Sequence, residues 1–154
     1  MGIASVIQNS AKADLLRAGT NFNTSGGTPA GHAFKLALYL STTTIDTTTT
    51  AYGGPSNEVA TATGYTAGGK ALTNTGVGTT TVTSFTDFSD LSWTASSFTT
   101  RGCLIYNTTA ITGLTTNRAV CSVDFGGDKT VSSGTFTIQF PTNDSSSAII
   151  RLTS

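Results

Sequence analysis

The residues able to carry acid–base, nucleophilic or metal chemistry are few, and their spacing suits that chemistry poorly. The 154-residue chain holds one histidine, His32, and one glutamate, Glu58, among eight acidic groups. A catalytic histidine works with an orienting carboxylate and a nucleophile. His32, in PAGHAFK, has neither close by in sequence and is expected to be structural or solvated. Asp87 and Asp90 form the one close acidic pair outside VDFGGDK. A glycosidase places two carboxyl groups roughly 5–10 Å apart, but this pair is set among Phe85, Phe88 and Trp93 and is not expected to be catalytic. Asp124 and Asp128 suggest calcium, which takes several carboxylate and carbonyl oxygens. The D-x-D-x-D-G spacing with its distal glutamate is missing, so a glycine turn at Gly126–Gly127 beside Lys129 is the expectation. The glycines at 26–27, 53–54, 68–69, 76 and 78 match neither a phosphate-binding loop nor a dinucleotide fingerprint. The only cysteines, Cys103 and Cys121, lie inside apolar runs and read as free, reduced, small hydrophobes. The chain is expected to be non-enzymatic, with no catalytic residues, no cofactor and no metal.

Composition points the same way. There are 33 Thr and 17 Ser, and β-branched Thr fits the half-exposed pleat of a sheet. Charged residues make up 10% with zero net charge, against about 25% in an ordinary soluble domain. Nucleic-acid binding needs Lys and Arg for phosphate contacts, so no nucleic-acid partner is expected. A surface so poor in charge favours association, and a homo-oligomer is expected. Intrinsic disorder requires low hydrophobicity with high net charge, which this chain lacks. No stretch approaches the roughly 18 apolar residues of a membrane span, and MGIASVIQNSAKAD lacks the basic and apolar regions of a secretion signal. No membrane association is expected, and synthesis and folding are expected in a cytoplasm.

The elements that must position these residues are mostly strands. Ile3, Ile7, Ala11, Leu15 and Ala18 recur at helical steps, with Gly19 as a stop. They predict an N-terminal helical arm over 1–19, in which Asp14 opposes the helix dipole and Arg17 complements it. Residues 20–154 then form a single all-β domain, an antiparallel β-sandwich or jelly-roll-like fold. Strands are predicted at 33–41, 70–74, 79–84, 85–93, 98–106, 118–125, 134–140 and 148–152, with turn composition between them. Cys103 and Cys121 are expected close together on an antiparallel hairpin. Phe34, Leu36, Leu38, Phe136, Ile138 and Phe140 are expected in the core. Residues 42–69 form a long polar, Gly-rich loop, a length that usually marks an interaction segment. Trp93 is read as a core anchor, although Tyr52, Tyr65, Trp93 and Tyr106 could line a sugar-binding platform.

The series FKLALYLS, GYTAGGKALT, FTTRGCLIYN, VDFGGDKTVSSGTFTIQFP and AIIRLTS resembles a group of small structural proteins of tailed-bacteriophage virions. The resemblance covers residues 33–153 and is most specific at FGGDK and FTIQFP. It implies a virion component and brings no catalytic residues with it. The leading expectation is a capsid decoration or cement protein that clamps neighbouring major-capsid subunits. Alternatives are an accessory protein of the neck, tail or fibre base, or a carbohydrate-binding receptor module. The partners expected are the major capsid protein or other virion proteins. Candidate partner contacts are Ile3, Ile7 and Leu15 on the arm, which as an isolated helix would be marginal in water, and Tyr52 and Tyr65 on the long loop.

Overall fold

The alternation in FKLALY builds the centre of the molecule. In a computed structural model that describes residues 2–62 and 64–154, this run is strand β2 (Phe34–Tyr39), buried on both faces. It follows a two-residue strand β1 (Val6–Ile7) and a helix α1 (Asn9–Leu16). After it come β3 (Lys70–Leu72), β4 (Asn74–Thr79), β5 (Thr83–Phe88), β6 (Leu91–Asn107), β7 (Arg118–Ile138) and β8 (Ile150–Thr153). Strands make up 47% of the chain and helix 5%, so the predicted all-β sandwich with a short helix is the fold. One sheet has the order β1-β7-β6-β2-β3 and the other β4-β5-β8, with every pairing between these strands antiparallel.

Several predicted strands redistribute. Residues 79–84 are the β4–β5 hairpin turn, with Thr79 opposite Ser84, and 85–93 straddles the break between β5 and β6. The segment 98–106 is one half of the 17-residue β6. Segment 118–125 and residues 134–138 of segment 134–140 belong to one 21-residue strand that runs through the predicted GGDKTVSSG turn. Register shifts in the β6–β7 ladder account for the difference. Between Thr100/Lys129 and Gly102/Asp124 the β7 side carries extra residues, with Gly126 at φ 75°. FGGDK is therefore a bulge within the strand instead of a chain reversal. A second bulge at Ser132–Ser133, where Ser133 has φ 48°, resets the phase between the Val131/Phe98 and Gly134/Ser96 pairs. The core-facing positions stay odd through the first bulge (Val123, Phe125, Val131) and become even after the second (Phe136, Ile138), which defeats a single period-two reading.

The two cysteines lie on this β6–β7 hairpin as expected. Cys103 pairs with Val123 and Cys121 with Ile105, placing the thiols diagonal to one another. Both are free and buried. Burial pushes the Cys103 thiol up to about 12, an effect only partly opposed by the Val123 backbone. Burial raises Cys121 as well, followed by the neighbouring Cys103 and Asp87.

The N-terminal helix is shorter than the sequence suggested. Ile3 forms a parallel bridge with Ile45, and Val6 and Ile7 pair with Ser122 and Cys121. The Ile3–Ile7 spacing fits a helix, but β-branched side chains also favour strand, and here an open sheet edge takes them. The helix stops at a Schellman turn: Ala18 N–H donates to Leu15 O, and Gly19 N–H to Asp14 O at 2.6 Å. Ala18, with φ 56°, holds the left-handed position that Gly19 was expected to occupy. Asp14, unfavourable for the dipole, is explained by its partner. It sits buried against Arg118 at 2.6 Å, and Arg118 also donates to the Gly19 and Thr115 carbonyls.

Two apolar layers result. The main core, between the sheets, gathers Phe34, Leu36, Leu38, Phe88, Trp93, Phe98, Cys103, Ile105 and Cys121, which confirms Trp93 as a core anchor. The outer face of the larger sheet (Ala37, Tyr39, Leu104, Tyr106, Ala119) is covered by Ile3, Ile45 and Tyr52. Among the described residues of the 42–69 segment, Ile45 and Tyr52 thus form a lid on the sheet's outer face, while Val59 and Tyr65 pack into the main core. The segment can lie close because Gly69, at φ 67°, has no Cβ to collide with the Leu36 backbone.

The Asp14–Arg118 pair fastens helix to sheet, with side chains only 2% and 4% exposed. Asp14→Ala would strand a buried guanidinium and should cost about 3–5 kcal/mol in urea unfolding. Asp14→Ala combined with Arg118→Met should recover much of that loss, and a single-mutant cost near zero would show that the pair does not hold the helix.

Candidate functional site

Phe136, Ile138 and Phe140 were expected in the core, and the structure puts them at its margin. They pack against the core but remain half-buried, together with Val123, Phe125, Val131 and Ile149. β7 and the chain that follows it form an open groove of about 590 Å³. It is lined by Phe125, Phe136 and Phe140, with the Phe125 and Phe136 centroids 6.3 Å apart and Phe136 packed on the buried Phe98 at 5.3 Å. Asp124 and Lys129 stand at its rim. Asp124 is tied to Arg101 by two hydrogen bonds of 2.7 and 3.2 Å. That pairing, then the Gly126 N–H, holds its carboxyl below the usual range.

The groove lies along an open sheet edge. β1 covers β7 only at Cys121 and Ser122, with Ser5 Oγ accepting from Asp124 N–H just beyond. From there to Ile138, among the described residues, the paired strands place only β6 beside β7. Half-exposed aromatic side chains next to unpaired strand backbone are the features of a strand-addition surface. A second, smaller apolar opening of about 360 Å³ is lined by Leu15, Phe22, Pro29, Val77, Ile150 and Leu152.

The candidate contacts from the sequence do not converge. Ile3 and Tyr65 are buried in the chain's own layers at 6% and 2% exposure, so neither offers a side chain to a partner. Ile7 is half-buried against the main core, and Leu15 lines the smaller opening. Tyr52 stacks on Tyr106, centroids 4.6 Å apart.

Tyr52 and Tyr65 belong to a polar knot centred on Glu58. The Tyr52 hydroxyl donates to one carboxylate oxygen at 2.6 Å. The Tyr65 hydroxyl and the Gly68 N–H donate to the other at 2.7 and 2.6 Å. Tyr65 also accepts from Leu38 N–H, and Tyr106 donates to Gly68 O. Burial, then the Glu58 charge, pushes the Tyr106 phenol up to about 12. Burial is also the first cause of the raised Tyr39, Tyr52 and Tyr65 values. With its acceptors filled, the knot clamps the lid and leaves little for a sugar to bind.

The other chemistry-bearing residues also serve the backbone. Asp87 accepts from Phe88 and Ile149 N–H, and burial, only partly offset by these bonds, raises its carboxyl. Asp90 accepts from Phe140 N–H at 2.9 Å. The two carboxylates pin opposite ends of the 140–149 connection. Among the described residues no three His, Cys, Asp or Glu side chains gather as a metal site, and no helix is long and apolar enough to cross a membrane. No protein-family model, curated protein or solved structure matches the chain.

The lone glutamate among scattered tyrosines was the only sequence signal for the knot. The groove had a signal too, since the alternation of residues 136–140 marks an apolar face without saying what covers it.

Glu58→Ala removes the acceptor of two phenols and an amide, so it should cost about 1–3 kcal/mol and expose 42–69 to proteolysis. Unchanged cleavage there would show that the knot does not hold the lid. His32 Nδ1 accepts from Asn21 N–H at 3.3 Å and faces the Asn107 amide nitrogen at 2.9 Å, so the proton sits on Nε2. Burial, then the Arg118 charge, lowers its pKa from 6.5. The unfolded chain therefore binds the proton first, and stability should fall as pH drops below 6.5 toward the folded value. His32→Gln should flatten that limb in urea titrations, and an unchanged pH profile would exclude His32 as its source.

Proposed function

We propose that the chain is a non-enzymatic structural protein of a tailed-bacteriophage virion, and within that class a decoration protein that clamps major-capsid subunits. The observation that carries this reading is the half-exposed aromatic groove beside the open edge of β7. A 154-residue domain has ample core of its own, and half-buried aromatic side chains beside an open strand edge suit a strand-addition partner. The groove is built from VDFGGDK and FTIQFP, the segments in which the resemblance to virion proteins is most specific. Its rim carries Asp124 already neutralised by Arg101, a surface suited to an apolar protein partner. The lid and the N-terminal residues, the docking segments expected from the sequence, close the larger sheet, which leaves the β7 side for contacts.

Quantitative mass spectrometry of purified particles should find the protein at a copy number comparable to that of the major capsid protein. Particles lacking it should release DNA at a lower temperature than complete ones. Copy numbers typical of a tail or neck component, or equal thermal release with and without the protein, would overturn the decoration reading.

A further inference from the structure

We infer that two copies of the chain join edge to edge through residues 134–138 of β7, antiparallel about a two-fold axis at Phe136, so that the larger sheets of both copies become one. This goes beyond the virion reading and does not depend on it.

Three observations carry the pairing. The first is that the edge already accepts strand addition. The chain's own Val6–Ile7 adds to β7 at Ser122 and Cys121, and among the described residues no strand covers the edge beyond. The second is the lack of guarding. Exposed edges are normally protected by lysine, proline or bulges. The near part of β7 has these devices, with the FGGDK bulge, Asp128 and Lys129. Residues 134–138 have none: no charged residue occurs between Lys129 and Asp144, and the shift between Trp93/Phe136 and Ser96/Gly134 puts its extra residue on β6.

The third observation is self-complementarity, which a two-fold interface requires. Centred on Phe136, the run GTFTI meets its own copy with Thr135 opposite Thr137, Phe136 opposite Phe136 and Gly134 opposite Ile138. Hydroxyl faces hydroxyl on the exposed face, and aromatic faces aromatic on the groove side, both favourable cross-strand pairs. Five residues is an ordinary strand length. The second copy would cover Phe136 and Ile138, which one copy leaves half-buried.

The full-length protein should sediment at twice its 15.7 kDa chain mass and dissociate on dilution. Thr135 and Thr137 are exposed, so charges placed there test the register with little risk to the fold. Thr135→Lys with Thr137→Lys sets like charges across the axis twice and should give a monomer. Thr135→Lys with Thr137→Glu sets a lysine opposite a glutamate twice and should remain dimeric, and it also controls for folding. A wild-type monomer at all concentrations would overturn the inference. So would a dimer that survives the double lysine change, or one that both double variants abolish.

Discussion

The structure depends on bending one long hairpin. β6 and β7 pair along their whole lengths, from Leu91 opposite Ile138 to Asn107 opposite Arg118. Flat strands of this length would leave one face open to water. Four register shifts interrupt the ladder, and each increases the local twist and bend. The near half of the hairpin can then lie beside β2, while the far half brings Trp93, Phe98 and Phe136 into one aromatic cluster. The cost of the bends is carried at defined points. Ala95, Ser133 and Gly126 all adopt positive φ, and only the last is a glycine, the residue that does so without strain.

The hairpin also determines what else the chain must supply. Because β2 is buried on both faces, the larger sheet needs a cover on its outer side, which the smaller sheet cannot provide. The lid does this with few apolar residues and a polar clamp. Ile45 and Tyr52 supply the apolar contact, and Glu58 gathers two phenols and an amide to fix the position. A Thr-rich chain suits this arrangement, because loop hydroxyls can satisfy backbone groups locally. Thr43, for example, donates to the Ser56 carbonyl at 2.7 Å, and Thr49 Oγ1 accepts from Asp46 N–H.

Much of this was legible in the sequence, and the exceptions share a cause. Phe34, Leu36 and Leu38 keep phase through one unbroken strand, so their burial could be read directly. The cysteine hairpin was legible because only one shift, between Ile105 and Tyr106, lies in that stretch. The fused strands were not, because a bulge resets the phase and looks like a turn, and FGGDK has turn composition in either case. Ile3 and Ile7 share a helical spacing but go to opposite layers, Ile3 over the outer face beside Ile45 and Ile7 toward the main core, and only the vacant edge at Ser122 shows why. Asp14, a poor helix residue taken alone, becomes intelligible only with Arg118, 104 positions away. The Glu58 knot was hidden for the same reason, since Tyr106 joins it from a different strand.

The distribution of protection along β7 ties fold to association. One strand edge carries three treatments in succession. Val6 and Ile7 pair with it at Cys121 and Ser122. Asp124, paired with Arg101, and the FGGDK bulge then disrupt it. Beyond Ser133 it runs regular and uncharged to Ile138. A chain that only needed to avoid aggregation would gain from placing a lysine in that last stretch, and the exposed positions Thr135 and Thr137 would accept one. Threonine there keeps the edge competent to pair, while the half-buried aromatic side chains below it lack a cover. The bulge upstream limits pairing to the segment where register is defined, so the same irregularity that bends the hairpin also confines where another strand can add.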